Sequence, residues 1–289
     1  MHNPSCVDPA ASVPCFVNTP VSSEPMLSGA NPFNCWDNCP AGTAGTIWRH
    51  YCYTDAEWTP ANQLRQRVQQ CLSPRRPNAG ARVAFLIGDS HAASIKVGVE
   101  RAVEGIMSLS FIAITGGTCG LVYSATDGIC LDAYNIIRER LTTNVRNGDV
   151  VIVSHAGYKY WDASTQGQQR DLLRDVYQNI LQPRGAKLVI MGDPPVLPRW
   201  AVYCLQNVQN CYTSTANTDQ NAMLAPLANE FSGVIYLPIH HLFCNSQNCM
   251  AQVPGTPTFA FFDTSHLTTA GALYLWPYIC SALGAAGFL

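Results

Sequence analysis

From Ala81 onward the chain repeats one pattern: a short apolar run, a turn of Gly, Asp or Ser, and then a stretch of helical periodicity. The runs are Val83–Ile87, Leu109–Thr115, Val150–Val153, Lys187–Met191 and Val234–Leu237. Helical stretches alternate with them at Ser90–Glu104, Leu131–Val145, Gln168–Leu181 and Asp219–Phe231, and a last helix begins near Thr268. Strands that are apolar on both faces belong in a parallel sheet covered on both sides by helices. The pattern therefore predicts an α/β fold, a three-layer αβα sandwich around a mostly parallel five-stranded sheet. Ligands of such sheets gather at the carboxyl ends of the strands. At that edge the sequence places Ser90, then Gly116 and Gly117, then Ser154 and His155, and finally Asp193.

Two strings at that edge carry chemistry. Gly88-Asp89-Ser90-His91 follows the first apolar run, and Asp263-Thr264-Ser265-His266 precedes the last helix. Together they supply a serine, an imidazole and a carboxylate, the minimum set for an activated serine nucleophile. Ser90 falls at a helix N-terminus, where the helix dipole and its own N–H favour a developing oxyanion. The bland alternative is that Ser90 only caps that helix. Asp263 and His266 are three residues apart in a turn that enters a helix. That spacing lets the carboxylate reach Nδ1–H and leaves Nε2 for the serine. Ser265 lacks the strand–turn–helix context of Ser90. His91 is expected on the helix flank, pointing away from the Ser90 hydroxyl. His155 ends the third strand and could line the site. His240 and His241 are adjacent, and neighbours on a strand point to opposite faces, so no metal centre and no cofactor is expected there.

Charged residues make up only 12% of the chain, about half the usual share, with a formal net charge of -2. There is no basic run, so nucleic acid is not expected as a ligand. Thirteen cysteines point to a disulfide framework and an oxidising, extracellular or secretory compartment. Close spacing suggests Cys119 with Cys130, Cys204 with Cys211, and Cys244 with Cys249. The odd total leaves one thiol over, and Cys280 could be buried and free or could bridge back. Cys35-x-x-x-Cys39 lacks the second pair that a zinc site needs. Residues 1–80 hold ten of the nineteen prolines and six of the cysteines, with periodicity only over Thr59–Leu72. They read as a loop-rich, disulfide-stapled extension on a main domain of residues 81–289. No leader is visible at Met1-His2-Asn3-Pro4, as expected of a mature fragment or of a domain from a longer, membrane-anchored chain. Leu267–Leu289 is uncharged and long enough to span a bilayer. Its proline, glycines and hydroxyl residues favour a buried terminal helix instead.

The motifs resemble the SGNH (GDSL-like) hydrolase superfamily over Ala81 to the C-terminus. The resemblance rests on Gly88-Asp89-Ser90, a glycine after the second strand (Gly117, with Gly116 the other choice) and Asp263-x-x-His266. Gly-Asp-Ser-His-Ala at 88–92 and Asp-x-x-His-Leu-Thr at 263–268 look most like the SGNH domains fused to membrane acyltransferase-3 modules. The resemblance implies a flavodoxin-like fold with Ser90, Asp263 and His266 as the catalytic set. It also implies Ser90 and Gly117 N–H groups as the oxyanion hole, and O-acetyl ester hydrolysis or O-acyl transfer on extracellular carbohydrate. An acylated carbohydrate is the implied partner, and a membrane module in a longer chain the implied tether. The superfamily's asparagine donor after the third strand is missing from Val153-Ser154-His155-Ala156-Gly157-Tyr158. Ser154, His155 or a backbone N–H are the candidates to replace it, and a catalytically weak binding module is the competing reading. An α/β-hydrolase would draw its acid and histidine from separate loops, which the three-residue spacing disfavours. Tyr158, Tyr160, Trp161 and Trp200 fall in loops at the same edge, where they could stack on sugars or simply pack.

Overall fold

The computed structural model describes residues 52–55, 59–74, 76–115, 121, 128–157, 163–198, 213–214, 219–244, 248–256 and 258–289. All five expected strands form: β2 (Val83–Gly88), β3 (Ser108–Thr115), β4 (Val150–Ser154), β5 (Lys187–Met191) and β7 (Val234–Leu237). A sixth, short strand, β1 (Tyr53–Asp55), joins them at one edge. The order is β1-β3-β2-β4-β5-β7, and every pairing is parallel. A separate two-stranded antiparallel ribbon pairs β6 (Thr213–Ser214) with β8 (Asn248–Cys249).

Strand alternation divides the core into two layers. Val83, Phe85 and Ile87 face α1 (Ala61–Cys71), α3 (Gly128–Asn144) and α4 (Ala163–Val176), meeting Leu64, Ile137 and Leu173. Ala84 and Leu86 face α2 (Ser90–Val103) and α6 (Thr269–Ala285), meeting Ile95, Val99, Leu275 and Ile279. The chain leaves β2 for β3 on one side and then crosses to β4 on the other. The crevice between the carboxyl ends of β2 and β4 is therefore the topological switch point, the place where such folds bind ligands.

Backbone contact is closest at two glycines. A Cβ on Gly88 would collide with the Ser154 carbonyl, so β2 and β4 can meet at the switch point only through glycine. A Cβ on Gly98 would collide with the Ala272 carbonyl, and this lets α2 lie directly against α6. The terminal apolar stretch is accordingly a packed helix, with Leu275, Ile279 and Leu283 buried. Among the described residues no helix is long and apolar enough to cross a membrane.

Local sequence reading fails where proline or tertiary pairing intervenes. The stretch Asp219–Phe231 is a 3₁₀ turn (Gln220–Leu224) followed by the short helix α5 (Pro226–Glu230), because Pro226 has no N–H to continue the turn before it. His240 and His241 lie in a 3₁₀ turn, not on a strand. Before residue 80, β1 extends the sheet, and α1 buries Leu64 and Val68 in the core. The Cys52–Cys71 disulfide ties the start of that strand to the end of that helix. Cys244 pairs with Cys249 as the spacing suggests. Cys130 and Cys280 are also disulfide-bonded, so Cys280 is not a free thiol. The proposed partners Cys119, Cys204 and Cys211, and the Cys35–Cys39 pair, lie outside the described residues.

Candidate active site

Ser90 is the first residue of α2, directly after β2. Its N–H is one of the four that a helix start leaves without an intrahelical partner. Asp89 is the N-cap, and its Oδ1 accepts the His91 N–H at 2.8 Å. The other oxygen, Oδ2, accepts the Ala156 N–H at 2.9 Å. Asp89 is thus a buried clamp between the helix start and the loop after β4, with both oxygens occupied.

The loop Phe261–Leu267 closes on itself through a bridge between its two fully buried end residues. Asp263 Oδ1 accepts the N–H groups of Ser265 and His266, each at 2.8 Å, an aspartate turn typical of this spacing. Its second oxygen, Oδ2, lies 2.6 Å from His266 Nδ1. A carboxylate offers only lone pairs, so the ring proton sits on Nδ1 and Nε2 is left as acceptor. Nε2 lies 2.8 Å from Ser90 Oγ, across 176 residues of sequence. Phe262 stacks on the His266 ring, with centroids 5.4 Å apart and planes 20° apart.

The charges follow from these contacts. Burial lowers the His266 pKa, the nearby His91 adds to the lowering, and the hydrogen bond to Asp263 resists it. The neutral, proton-accepting ring is therefore favoured. Burial opposes ionisation of Asp263, but His266 and the two N–H donors outweigh it and hold the carboxyl below its usual range.

His91 departs from expectation. It is not on an open helix flank but buried, with Nδ1 2.9 Å from Asp193 Oδ1 and its ring against His266. Asp193, in the turn after β5, also accepts the Gly157 N–H at 2.6 Å. The backbone donors of Ala156 and Gly157 are consequently committed to carboxylates, which removes them as replacements for the missing asparagine. Ser154 is buried and lends its carbonyl to the Asp89 N–H. His155 is buried, and neither ring nitrogen has a partner among the described residues. Burial drives its pKa down to about 4, so it is neutral at ordinary pH. Gly116, Gly117, Tyr158, Tyr160, Trp161 and Trp200 lie outside the described residues.

His240 Nδ1 approaches Cys244 Sγ at 3.4 Å, and with Cys249 Sγ the three atoms form a compact group. Both sulfurs are spent in the Cys244–Cys249 disulfide, so they offer no thiolate to a metal.

Sequence reasoning missed three contributors: Asp89 as a clamp, Phe262 as a stacking partner, and the His91–Asp193 pair. The first had a signal, an aspartate directly before a helix. The others depend on tertiary packing.

The arrangement defines a doubly wound α/β domain whose switch-point crevice holds a hydrogen-bonded serine, histidine and aspartate. Residues 51–279 match the SGNH domain (fused to AT3 domains), and the chain belongs to that family. Among solved structures it is similar to the periplasmic domain of a lipopolysaccharide acetyltransferase from Salmonella ser. Paratyphi A, with TM-score 0.60 and 15% identity, covering 83% of this chain and 94% of that one. A candidate acylhydrolase from Bacteroides fragilis aligns with TM-score 0.46 and 12% identity, covering 80% of this chain and 99% of that one. At 15% identity the likeness to the Salmonella domain is one of fold. No curated protein matches the sequence.

Proposed function

We propose that the chain performs serine-dependent acyl-ester chemistry on O-acylated carbohydrate, through an acyl-Ser90 intermediate. The observation that carries this reading is the unbroken chain Asp263–His266–Ser90, with contacts of 2.6 and 2.8 Å. Ser90 Oγ attacks the acyl carbonyl as its proton passes to His266 Nε2. Asp263 holds the ring and stabilises the imidazolium. The Ser90 and Gly117 N–H groups receive the oxyanion. Collapse breaks the ester bond, and His266 returns the proton to the departing alcohol oxygen. Water then releases the acyl group as an acid, or a sugar hydroxyl takes it in transfer.

Membership in the family fused to AT3 domains and the likeness to an acetyltransferase periplasmic domain support an acetyl group, a carbohydrate acceptor and a tethered, longer native chain. The disulfides support an oxidising, extracytoplasmic location. A second reading, a binding module with little turnover, is favoured by one observation: the Ala156 and Gly157 N–H groups are already occupied. A fluorophosphonate probe separates the two readings. Labelling of the wild type that vanishes in Ser90→Ala, together with acetate release from acetylated polysaccharide, is expected of the enzyme. An unlabelled wild type that releases no acetate and does not cleave p-nitrophenyl acetate overturns it.

A further inference from the structure

His91 follows Ser90 directly, yet it takes no part in the Ser90–His266–Asp263 chain. Its surroundings are nonetheless specialised. Nδ1 lies 2.9 Å from Asp193 Oδ1. The ring meets that of His266 in a T-shaped contact, with centroids 5.1 Å apart and planes 68° apart. Asp193 is itself fixed. Oδ2 accepts the Gly157 N–H, and its own N–H donates to Asp219 Oδ1 at 2.9 Å. Asp219 Oδ2 in turn receives the Tyr236 hydroxyl. His266 is therefore gripped at four points: Asp263 at Nδ1, Ser90 at Nε2, Phe262 stacked on the ring, and His91 set across it.

We propose that His91, held by Asp193, is a positioning residue for His266, its ring set across that of His266 and fixing the plane in which Nε2 meets Ser90. This rests on the reading of His266 as general base. The second imidazole–carboxylate pair does not touch the reacting atoms and acts only through the first.

Among the described residues, the titratable groups around His91 come from four elements. They are Asp89 at the head of its own helix, Asp193 after β5, Asp263 and His266 in the loop before α6, and His155 after β4. Burial disfavours a charged His91. Asp193, Asp89 and Asp263 outweigh that burial and raise its pKa. A cation so placed repels a proton arriving at His266, which keeps Nε2 free to accept the serine proton. Burial pushes Asp193 itself up to about 6, so the effect fades as Asp193 takes up a proton below that pH.

The test is a titration of His266 by NMR in a chain labelled with ¹³C-histidine. Its signal is assigned by its loss in His266→Gln. Wild type, His91→Gln and Asp193→Asn are compared, alongside pH–rate profiles for p-nitrophenyl acetate. In Asp193→Asn the amide oxygen can still accept from Nδ1–H, while the Gly157 N–H loses its acceptor and His91 loses the anion that holds its charge. The His266 midpoint is expected to move to higher pH in both variants, since each weakens or removes the positive charge beside it. Activity at the acid end should then fall about threefold more than at the optimum. A folded His91→Gln whose His266 titrates as in the wild type, or at lower pH, overturns the proposal. Should His91→Gln not fold, an unmoved His266 in Asp193→Asn does the same. The NMR readout needs no turnover, so failure of the esterase reading registers separately, as an unlabelled Ser90.

Discussion

The two ends of β2 and β4 are both tied by buried aspartates, and the ties differ in kind. At the amino end Asp149 is fully buried. It receives both terminal nitrogens of Arg76 and the N–H groups of Val83 and Arg146. Every partner there is a fixed donor, since guanidinium does not lose its proton in proteins. At the carboxyl end Asp89 and Asp193 clamp the same two strands, but their neighbours are His91, His155 and His266. Those groups change charge within the accessible pH range, and their titrations are displaced in both directions. The amino end holds the sheet together. The carboxyl end does so while leaving proton-accepting groups in the crevice, where perturbed titrations mark functional sites.

The largest effect should come from breaking the carboxyl end at its most local contact. Asp263→Asn removes the charge that orients His266, while Asn Oδ1 can still accept from the Ser265 and His266 N–H groups. The expected loss in kcat/KM is about 10⁴-fold, as for the orienting aspartate of serine triads generally. Stability should change by less than about 1 kcal/mol, checked by urea denaturation. A variant within tenfold of wild-type rate would refute the assignment of Asp263.

The opposite result is expected at the amino end. Asp149→Ala strands the Arg76 charge and two backbone donors in a buried place. It should reduce stability by about 3–5 kcal/mol, read from the urea midpoint. Activity per folded molecule should stay within about twofold of wild type. Large loss of rate in the folded fraction would mean that the two ends are coupled.

His155 gives a smaller, pH-dependent difference. It titrates near 6.5 in an unfolded chain and at about 4 in the fold. Between those values the unfolded chain takes up a proton that the folded one refuses. Its contribution is therefore complete above 6.5 and is lost as the pH falls towards 4. His155→Leu removes this term, while the titrations of His91 and Asp193 remain in both proteins and largely cancel. Between pH 7 and pH 5 the variant should lose about 2 kcal/mol less stability than the wild type. Equal losses would show that His155 is solvated or paired.

What could be read from the sequence follows the same division. Asp263 and His266 share one tight turn, and Ser90 sits at a strand-to-helix junction, so short-range pattern suffices for both. The apolar runs likewise announced five strands, because burial on both faces leaves its mark on consecutive residues. His91 and Asp193 are 102 residues apart, and no periodicity records that a turn after β5 reaches the head of α2. The edge strand β1 was also illegible. Three residues are too few to show alternation, and that strand is held by pairing with β3 and by Cys52–Cys71. The proline break at Pro226 was legible, but apolar periodicity on either side of it overrode the signal.

The smallest expected effect sharpens the comparison furthest from the chemistry. Tyr236 on β7 donates its hydroxyl to Asp219, whose other oxygen holds the Asp193 N–H. Burial, and then the Asp219 charge, raise the phenol pKa, so the donor stays protonated throughout the working range. Tyr236→Phe keeps the ring and deletes only that bond. The loss of one hydrogen bond to a charged group should lower stability by about 1–2 kcal/mol. Asp219 keeps the N–H groups of Asp193 and Asn221 on its other oxygen. Asp193 should therefore shift little, and kcat should fall by no more than about threefold with KM unchanged. If the carboxyl end is one connected network, the variant should also move the acid limb of the rate profile in the same direction as Asp193→Asn, by a smaller amount. An unmoved limb with the same stability loss would confine the network to Asp193 and His91, and leave Asp219 and Tyr236 as ordinary support for the turn after β5.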